Sequence, residues 1–128
     1  QYAVLKNLDL RAQYTYTLTR NVLNGSRLAR WPVHMASARV SYLPIQPLRI
    51  NLDFRYMGSR FNSTETASQR AITKMGSFDV FNLSATYDVA KNAQIFGRLD
   101  NVLDEQYEEI STFGTPIRSI YGGIKFTY

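Results

Sequence analysis

The stretch LRINLDFRYM, residues 48–57, divides by parity into two sets of side chains that suit different surroundings. Leu48, Ile50, Leu52, Phe54 and Tyr56 are apolar or aromatic, whereas Arg49, Asn51, Asp53 and Arg55 are polar or charged, with Met57 closing the second set. Alternate side chains of a β-strand point to opposite faces, so this is a strand with one apolar and one polar face. A helix would scatter both sets around its circumference. The same parity recurs elsewhere. Val4, Lys6, Leu8, Leu10, Ala12, Tyr14, Tyr16 and Leu18, apolar but for Lys6, alternate with Leu5, Asn7, Asp9, Arg11, Gln13, Thr15, Thr17 and Thr19, polar but for Leu5. The pattern predicts one long strand over residues 4–20, followed by strands over 34–43, 48–58, 78–87, 93–101 and 119–128. Phe96 departs from the rule by standing in a polar register.

The connections alternate in length. NVLNGSRLARWPV, SRFNSTETASQRAITKMGS and VLDEQYEEISTFGTPIR are long, whereas PIQP and DVAKN are short. Pro44 and Pro47 are expected to end the ladder, because proline has no amide to donate. In an antiparallel sheet the alternation puts all long loops on one rim and all short turns on the other, as in outer-membrane barrels.

Whether the apolar face meets a protein core or lipid is decided by its aromatics. Tyr14, Tyr16, Tyr42, Phe54, Tyr56, Tyr87, Phe126 and Tyr128 stand near the strand ends. Tyrosine at both ends of an apolar band suits a membrane interface, with the ring in lipid and the hydroxyl among headgroups. In a dry core each hydroxyl would need a buried partner. No apolar run approaches the roughly 18–20 residues of a transmembrane helix. A mean hydropathy of −0.27 is compatible with strands that alternate. Six strands do not close a membrane barrel, for which about eight is the minimum, and open edges in lipid are costly. The opening QYAVLKNLDL also reads as the start of a strand. The expectation is an all-β, antiparallel transmembrane barrel, of which this chain is a portion.

Side chains that could carry chemistry are few. Without cysteine there are no disulfides, thiolate chemistry or Cys-ligated zinc. The net charge of +5 is spread through every segment in the polar register, so no basic patch suggests nucleic acid as a partner. The sole histidine, His34, opens a strand and has no nucleophile motif to serve. Asp104, Glu105, Glu108 and Glu109 lack the glycine-punctuated spacing of a calcium loop and read as a solvated loop. No catalytic residue, cofactor or metal site is assigned.

The last third, GRLDNVLDEQYEEISTFGTPIRSIYGGIKFTY, resembles the C-terminal end of TonB-dependent outer-membrane receptors. The matching positions are Asn101, Val102, Leu103, Asp104, Tyr107, Pro116, Arg118 and Tyr128. RWPVH, with Pro32 and His34, and YMGSR are similar to strand boundaries of the same family. Val102 and Ile117 depart from the residues common there. The resemblance implies that these are about six C-terminal strands of a barrel of about 22, whose lumen is plugged by a domain lying outside this chain. It implies the outer membrane of a Gram-negative cell, and transport of a scarce nutrient, cobalamin or a ferric siderophore, energised through the TonB complex. GRLDNVLDEQYEE is most similar to the cobalamin-receptor branch. Implied partners are lipid and lipopolysaccharide, the rest of the barrel with its plug, the TonB complex, the barrel-assembly machinery and the small-molecule nutrient.

Within that picture Asn101, Asp104, Tyr107, Pro116 and Arg118 are expected to be structural, fixing how the last loop leaves the sheet, with Arg118 pairing with a loop carboxylate. Phe126 and Tyr128 are expected to serve as the barrel-assembly signal. Arg11, Arg39, Arg49, Asp53, Arg55, Arg98 and Lys125 are expected to line the lumen and contact the plug. Two other readings fit the residues alone: an outer-membrane pore or enzyme barrel, and a soluble lipid-binding β-barrel whose apolar face lines a cavity.

Overall fold

A computed structural model of the chain describes residues 2–5, 7–20, 22, 31–66, 69–110 and 113–127. They form β1 (Tyr2–Leu5), β2 (Leu8–Tyr16), β3 (His34–Ile45), β4 (Leu48–Met57), β5 (Arg60–Thr66), β6 (Gln69–Met75), β7 (Phe78–Ala90), β8 (Ala93–Asp100), β9 (Glu108–Ile110), β10 (Phe113–Gly114) and β11 (Ser119–Phe126). Seven strands make one antiparallel sheet in the order β1-β2-β3-β4-β7-β8-β11, so each pairs with its neighbours along the chain. Hairpins β5–β6 and β9–β10 lie in the long connections.

The register aligns the two sets of side chains into rows. Leu10, Val40, Leu52, Leu83, Leu99 and Ile120 face one another across six strands. Two residues toward the short turns, Leu8, Tyr42, Ile50, Ala85, Gly97 and Gly122 form the next row, with Tyr87 in the one beyond. Toward the long loops, Tyr14, Ala36 and Tyr56 close the band. Tyrosines therefore flank the apolar band at both ends. No second layer covers it: among the described residues no side chain is fully buried, and Tyr14, Leu52, Tyr87, Ile124 and Phe126 are exposed. The opposite face carries Arg11, Arg39, Asp53 and Asn82 in one row. It is the hollow face, with a 590 Å³ depression spanning β2, β3, β4, β7 and β8.

Four details depart from the sequence reading. The strand expected over 4–20 is a hairpin, because Tyr2 pairs with Leu10 and Leu5 with Leu8. β3 runs through Pro44 to Ile45, since a register irregularity between Tyr42 and Ile45 absorbs the residue that cannot donate. β7 reaches Ala90, with a second irregularity between Asp88 and Ala90. The polar connection after β4 is an ordered hairpin.

Phe96 reaches across to the last strand, where a Cβ on Gly123 would lie 2.7 Å from its ring. The ring thus covers a position without a side chain of its own. Gly58 has a similar reason to be glycine. Its amide donates to the His34 carbonyl at 2.8 Å, and a Cβ there would come within 3.0 Å of that oxygen. His34 and Gly58, far apart in sequence, therefore meet at the long-loop rim.

Candidate functional site

Among the described residues, the best-buried part lies at the long-loop rim, on the polar side of the sheet. Met75, Phe78 and Val80 are buried there together with Arg60, Asn62 and Asn101. The loop between β8 and β11 folds over this cluster and is held by two kinds of contact.

The first is a knot at the end of β8. Asn101 adopts a left-handed backbone (φ 52°), as does Asp104 (φ 58°), a conformation that asparagine and aspartate tolerate better than most residues. The Asp104 amide donates to the Asn101 carbonyl at 2.9 Å, closing a turn over Val102 and Leu103. The Asn101 side chain then bridges the loop. Its Oδ1 accepts the Glu105 amide at 2.8 Å, and its Nδ2 donates to the carbonyls of Glu105 (2.9 Å) and Pro116 (3.4 Å). Its own amide donates to Asn82 Oδ1 on β7. Asp104 Oδ1 accepts the Arg118 amide at 2.9 Å, joining the loop's start to its end. The partner of this carboxylate is thus the backbone of Arg118, not the expected side chain, because the turn aims Asp104 at the strand entry.

The second contact is aromatic and cationic. Tyr107 stacks on Phe78 with ring centroids 4.3 Å apart. Arg55 and Arg60 both lie against the Phe78 ring, at 5.6 and 5.7 Å. Arg55 donates to Glu109 Oε1 at 2.7 Å and to the Tyr107 hydroxyl at 3.5 Å. Arg60, only 5% exposed, donates to the carbonyls of Glu108 (2.8 Å) and Glu109 (2.6 Å) and to the Met57 sulfur (3.2 Å). Burial pushes the Arg60 guanidinium down from its ordinary value, and the Glu109 carboxylate counteracts that. The hairpin β5–β6 and the last loop are thereby fastened together. Arg60 had no sequence signal, since it stands in a segment read as polar loop.

The structure thus brings Asn101, Asp104, Tyr107, Pro116 and Arg118 into one loop assembly. Arg55 joins that assembly through Glu109 and Tyr107, whereas Arg11, Arg39, Arg49, Asp53, Arg98 and Lys125 lie elsewhere on the polar face. Arg39 pairs with Asp53 (2.5 Å), Arg11 with Asp9 (3.0 Å) and Arg98 with Asp100 (2.7 Å). Arg98 also lies 5.0 Å from the Tyr121 ring. Phe126 ends the last strand, exposed on the apolar side, and Tyr128 lies outside the described residues. His34 shares a 2.7 Å hydrogen bond with the Tyr14 hydroxyl and packs near Tyr16 at the band's upper edge. Asp104, Glu105, Glu108 and Glu109 are not gathered round a common point: among the described residues no group of three His, Cys, Asp or Glu could hold a metal ion.

Comparison with known proteins adds two findings. A family model described as "TonB dependent receptor-like, beta-barrel" matches residues 2–102. Among solved structures, the chain is similar to the siderophore receptor PirA from Acinetobacter baumannii (TM-score 0.83, 14% identity, 98% of this chain and 20% of that one). It is also similar to Pseudomonas aeruginosa FpvA bound to heterologous pyoverdines (TM-score 0.81, 16% identity, 96% and 18%). The copper transporter OprC matches as well (TM-score 0.81, 19% identity, 98% and 22%). The chain spans about one fifth of the length of these proteins.

Proposed function

Because the chain belongs to the TonB-dependent receptor-like β-barrel family, whose members are transport receptors of the Gram-negative outer membrane, we propose that residues 1–128 are a C-terminal part of such a receptor's wall. The observation that carries this reading is the row Leu10, Val40, Leu52, Leu83, Leu99 and Ile120, flanked by tyrosines and covered by no second layer. Such a face is stable against hydrocarbon and not against water. The sheet's two outer strands, β1 and β11, find their partners in the rest of a barrel of about 22 strands.

In this reading the apolar face meets lipid and, on the long-loop side, lipopolysaccharide. The polar face lines the lumen, where Arg11, Arg39, Arg49, Asp53, Arg55, Arg98 and Lys125 face a plug domain. The assembly around Asn101, Asp104, Tyr107, Pro116 and Arg118 sets the path of the last extracellular loop. Phe126 and Tyr128 form the signal read by the barrel-assembly machinery. The receptor takes up a small, scarce nutrient and is energised by the TonB complex through a part outside this chain. Two cargoes fit: a ferric siderophore, as the fold is shared with siderophore receptors, and cobalamin, as suggested by GRLDNVLDEQYEE.

The test is uptake by cells producing the full-length protein. Accumulation of radiolabelled cobalamin or ferric siderophore is expected to stop when the proton-motive force is collapsed. Uptake that persists after uncoupling would replace the receptor with a passive pore.

A further inference from the structure

Methionine is scarce in this chain, and all three of its methionines, Met35, Met57 and Met75, gather at the long-loop rim on the polar side of the sheet. Met35 and Met57 are direct partners across β3 and β4, and Met75 is the partner of Arg60 across β5 and β6. The Met57 sulfur accepts from Arg60 Nη1 at 3.2 Å, while Nη2 of the same guanidinium donates to the carbonyls of Glu108 and Glu109. Arg60 is therefore the pin that joins hairpin β5–β6 to the last loop, and Met57 is its seat on the wall. A leucine would fill the same volume and accept no hydrogen bond, so the sulfur matters here as an acceptor. Met75 is buried, whereas Met57 is half-buried and borders a 210 Å³ hollow with Gln13, Thr15, Met35 and Arg55. That hollow opens the Met57 side chain to small molecules while Arg60 stays covered.

We propose that Met57 is an oxidation site, and that its conversion to the sulfoxide by a peroxide releases the last loop from the hairpin. The sulfur lone pair attacks one peroxide oxygen, the O–O bond breaks, and the second oxygen leaves as water after proton transfer. Sulfur gives up two electrons and the peroxide takes them, so no other reactant is needed. A flexible apolar side chain thereby becomes a polar one. The new bond carries its positive end on sulfur. An oxygen added from the hollow leaves that positive end facing a buried cation 3.2 Å away. One added on the opposite side stands between the two. In both cases Arg60 loses its acceptor on the wall, and at 5% exposure little water can replace it. The guanidinium shifts, and its bonds to the Glu108 and Glu109 carbonyls weaken with it. The exposed pair of Arg55 with Glu109 is too weak to hold the loop alone. Enzymatic reduction of the sulfoxide restores the thioether, so the release is reversible. It needs no cargo and goes beyond the transport reading above.

The test uses the full-length protein in detergent, treated with hydrogen peroxide and read by peptide mass spectrometry and hydrogen exchange. Met57 is expected to gain one oxygen before Met75 does, in keeping with their exposure. Exchange in residues 107–110 is expected to rise about tenfold, in step with the fraction of Met57 oxidised, while β2 and β3 stay protected. Methionine sulfoxide reductases, which between them take both epimers, are expected to reverse the rise. Met35→Leu is expected to leave the response intact, and Met57→Leu to abolish it. Resistance of Met57 to oxidation, or unchanged exchange in residues 107–110 once it is fully oxidised, would overturn the proposal. So would slower exchange there, which would mean that the sulfoxide oxygen holds Arg60 more tightly than the sulfur did. A rise that follows oxidation of Met35 or Met75 instead, or that persists in Met57→Leu, would overturn it as well.

Discussion

Leu52→Arg tests the assignment of the apolar face to lipid most directly. β4 has ten residues. At about 3.3 Å per residue it is roughly 30 Å long, and a tilt of about 40° projects this to about 23 Å, close to the height of the apolar band of an outer-membrane barrel. Leu52 lies four residues from Leu48 and five from Met57, near the middle of that span. An arginine on the lipid face at the midplane costs about 2–4 kcal/mol, a fall of roughly 30- to 1,000-fold in the folding equilibrium constant. Leu48→Arg places the same charge about 10 Å nearer the interface, where the cost drops to about 0–1 kcal/mol. Asp53→Asn, one residue from Leu52 but on the other face, weakens an exposed pair with Arg39 and costs about 0–1 kcal/mol. The assay is a denaturant titration of the full-length receptor folding into lipid vesicles. Equal costs at positions 48 and 52 would refute the depth argument. A larger cost for Asp53→Asn than for Leu52→Arg would reverse the assigned faces.

Two further outcomes concern the rim. Asn101→Gly keeps the left-handed backbone but loses the side-chain bonds to Glu105 and Pro116, and is expected to cost about 2–3 kcal/mol. Asn101→Ala should cost about 1 kcal/mol more, since alanine is strained at that backbone angle, and chemical unfolding of the full-length protein measures the difference. Arg60→Met removes the donor to the Glu108 and Glu109 carbonyls, and hydrogen exchange should rise about tenfold or more in residues 107–110 while β3 and β4 stay protected.

The long strands were legible because a membrane wall has two unlike faces, so every inward–outward alternation is written in residue type. Leu48 to Tyr56 is the clearest case. Where that contrast ends, legibility ends with it. The hairpin β5–β6 is a ladder of its own, and RFNSTET and QRAITKM carry too few apolar residues to mark a face. The pairing of Leu5 with Leu8 left only a faint trace in the sequence, since Leu5 and Lys6 break the parity but no glycine or proline marks a turn there. Pro44 misled for the opposite reason: the backbone irregularity that accommodates it leaves no trace in residue type. In the loop assembly, Asn101 and Asp104 were recognisable as a motif, but Arg60 reaches its carbonyls only through the meeting of two connections far apart in sequence.

Because strand order follows chain order, the three long connections start and end on one rim. Lengthening or rewriting one of them leaves every ladder of the sheet in place. In the receptor proposed above, the connections can therefore change in sequence while the same masonry is inherited, and selection on them is largely uncoupled from selection on insertion into the membrane. The fastening between hairpin β5–β6 and the last loop is the exception. Those two connections must evolve as a pair.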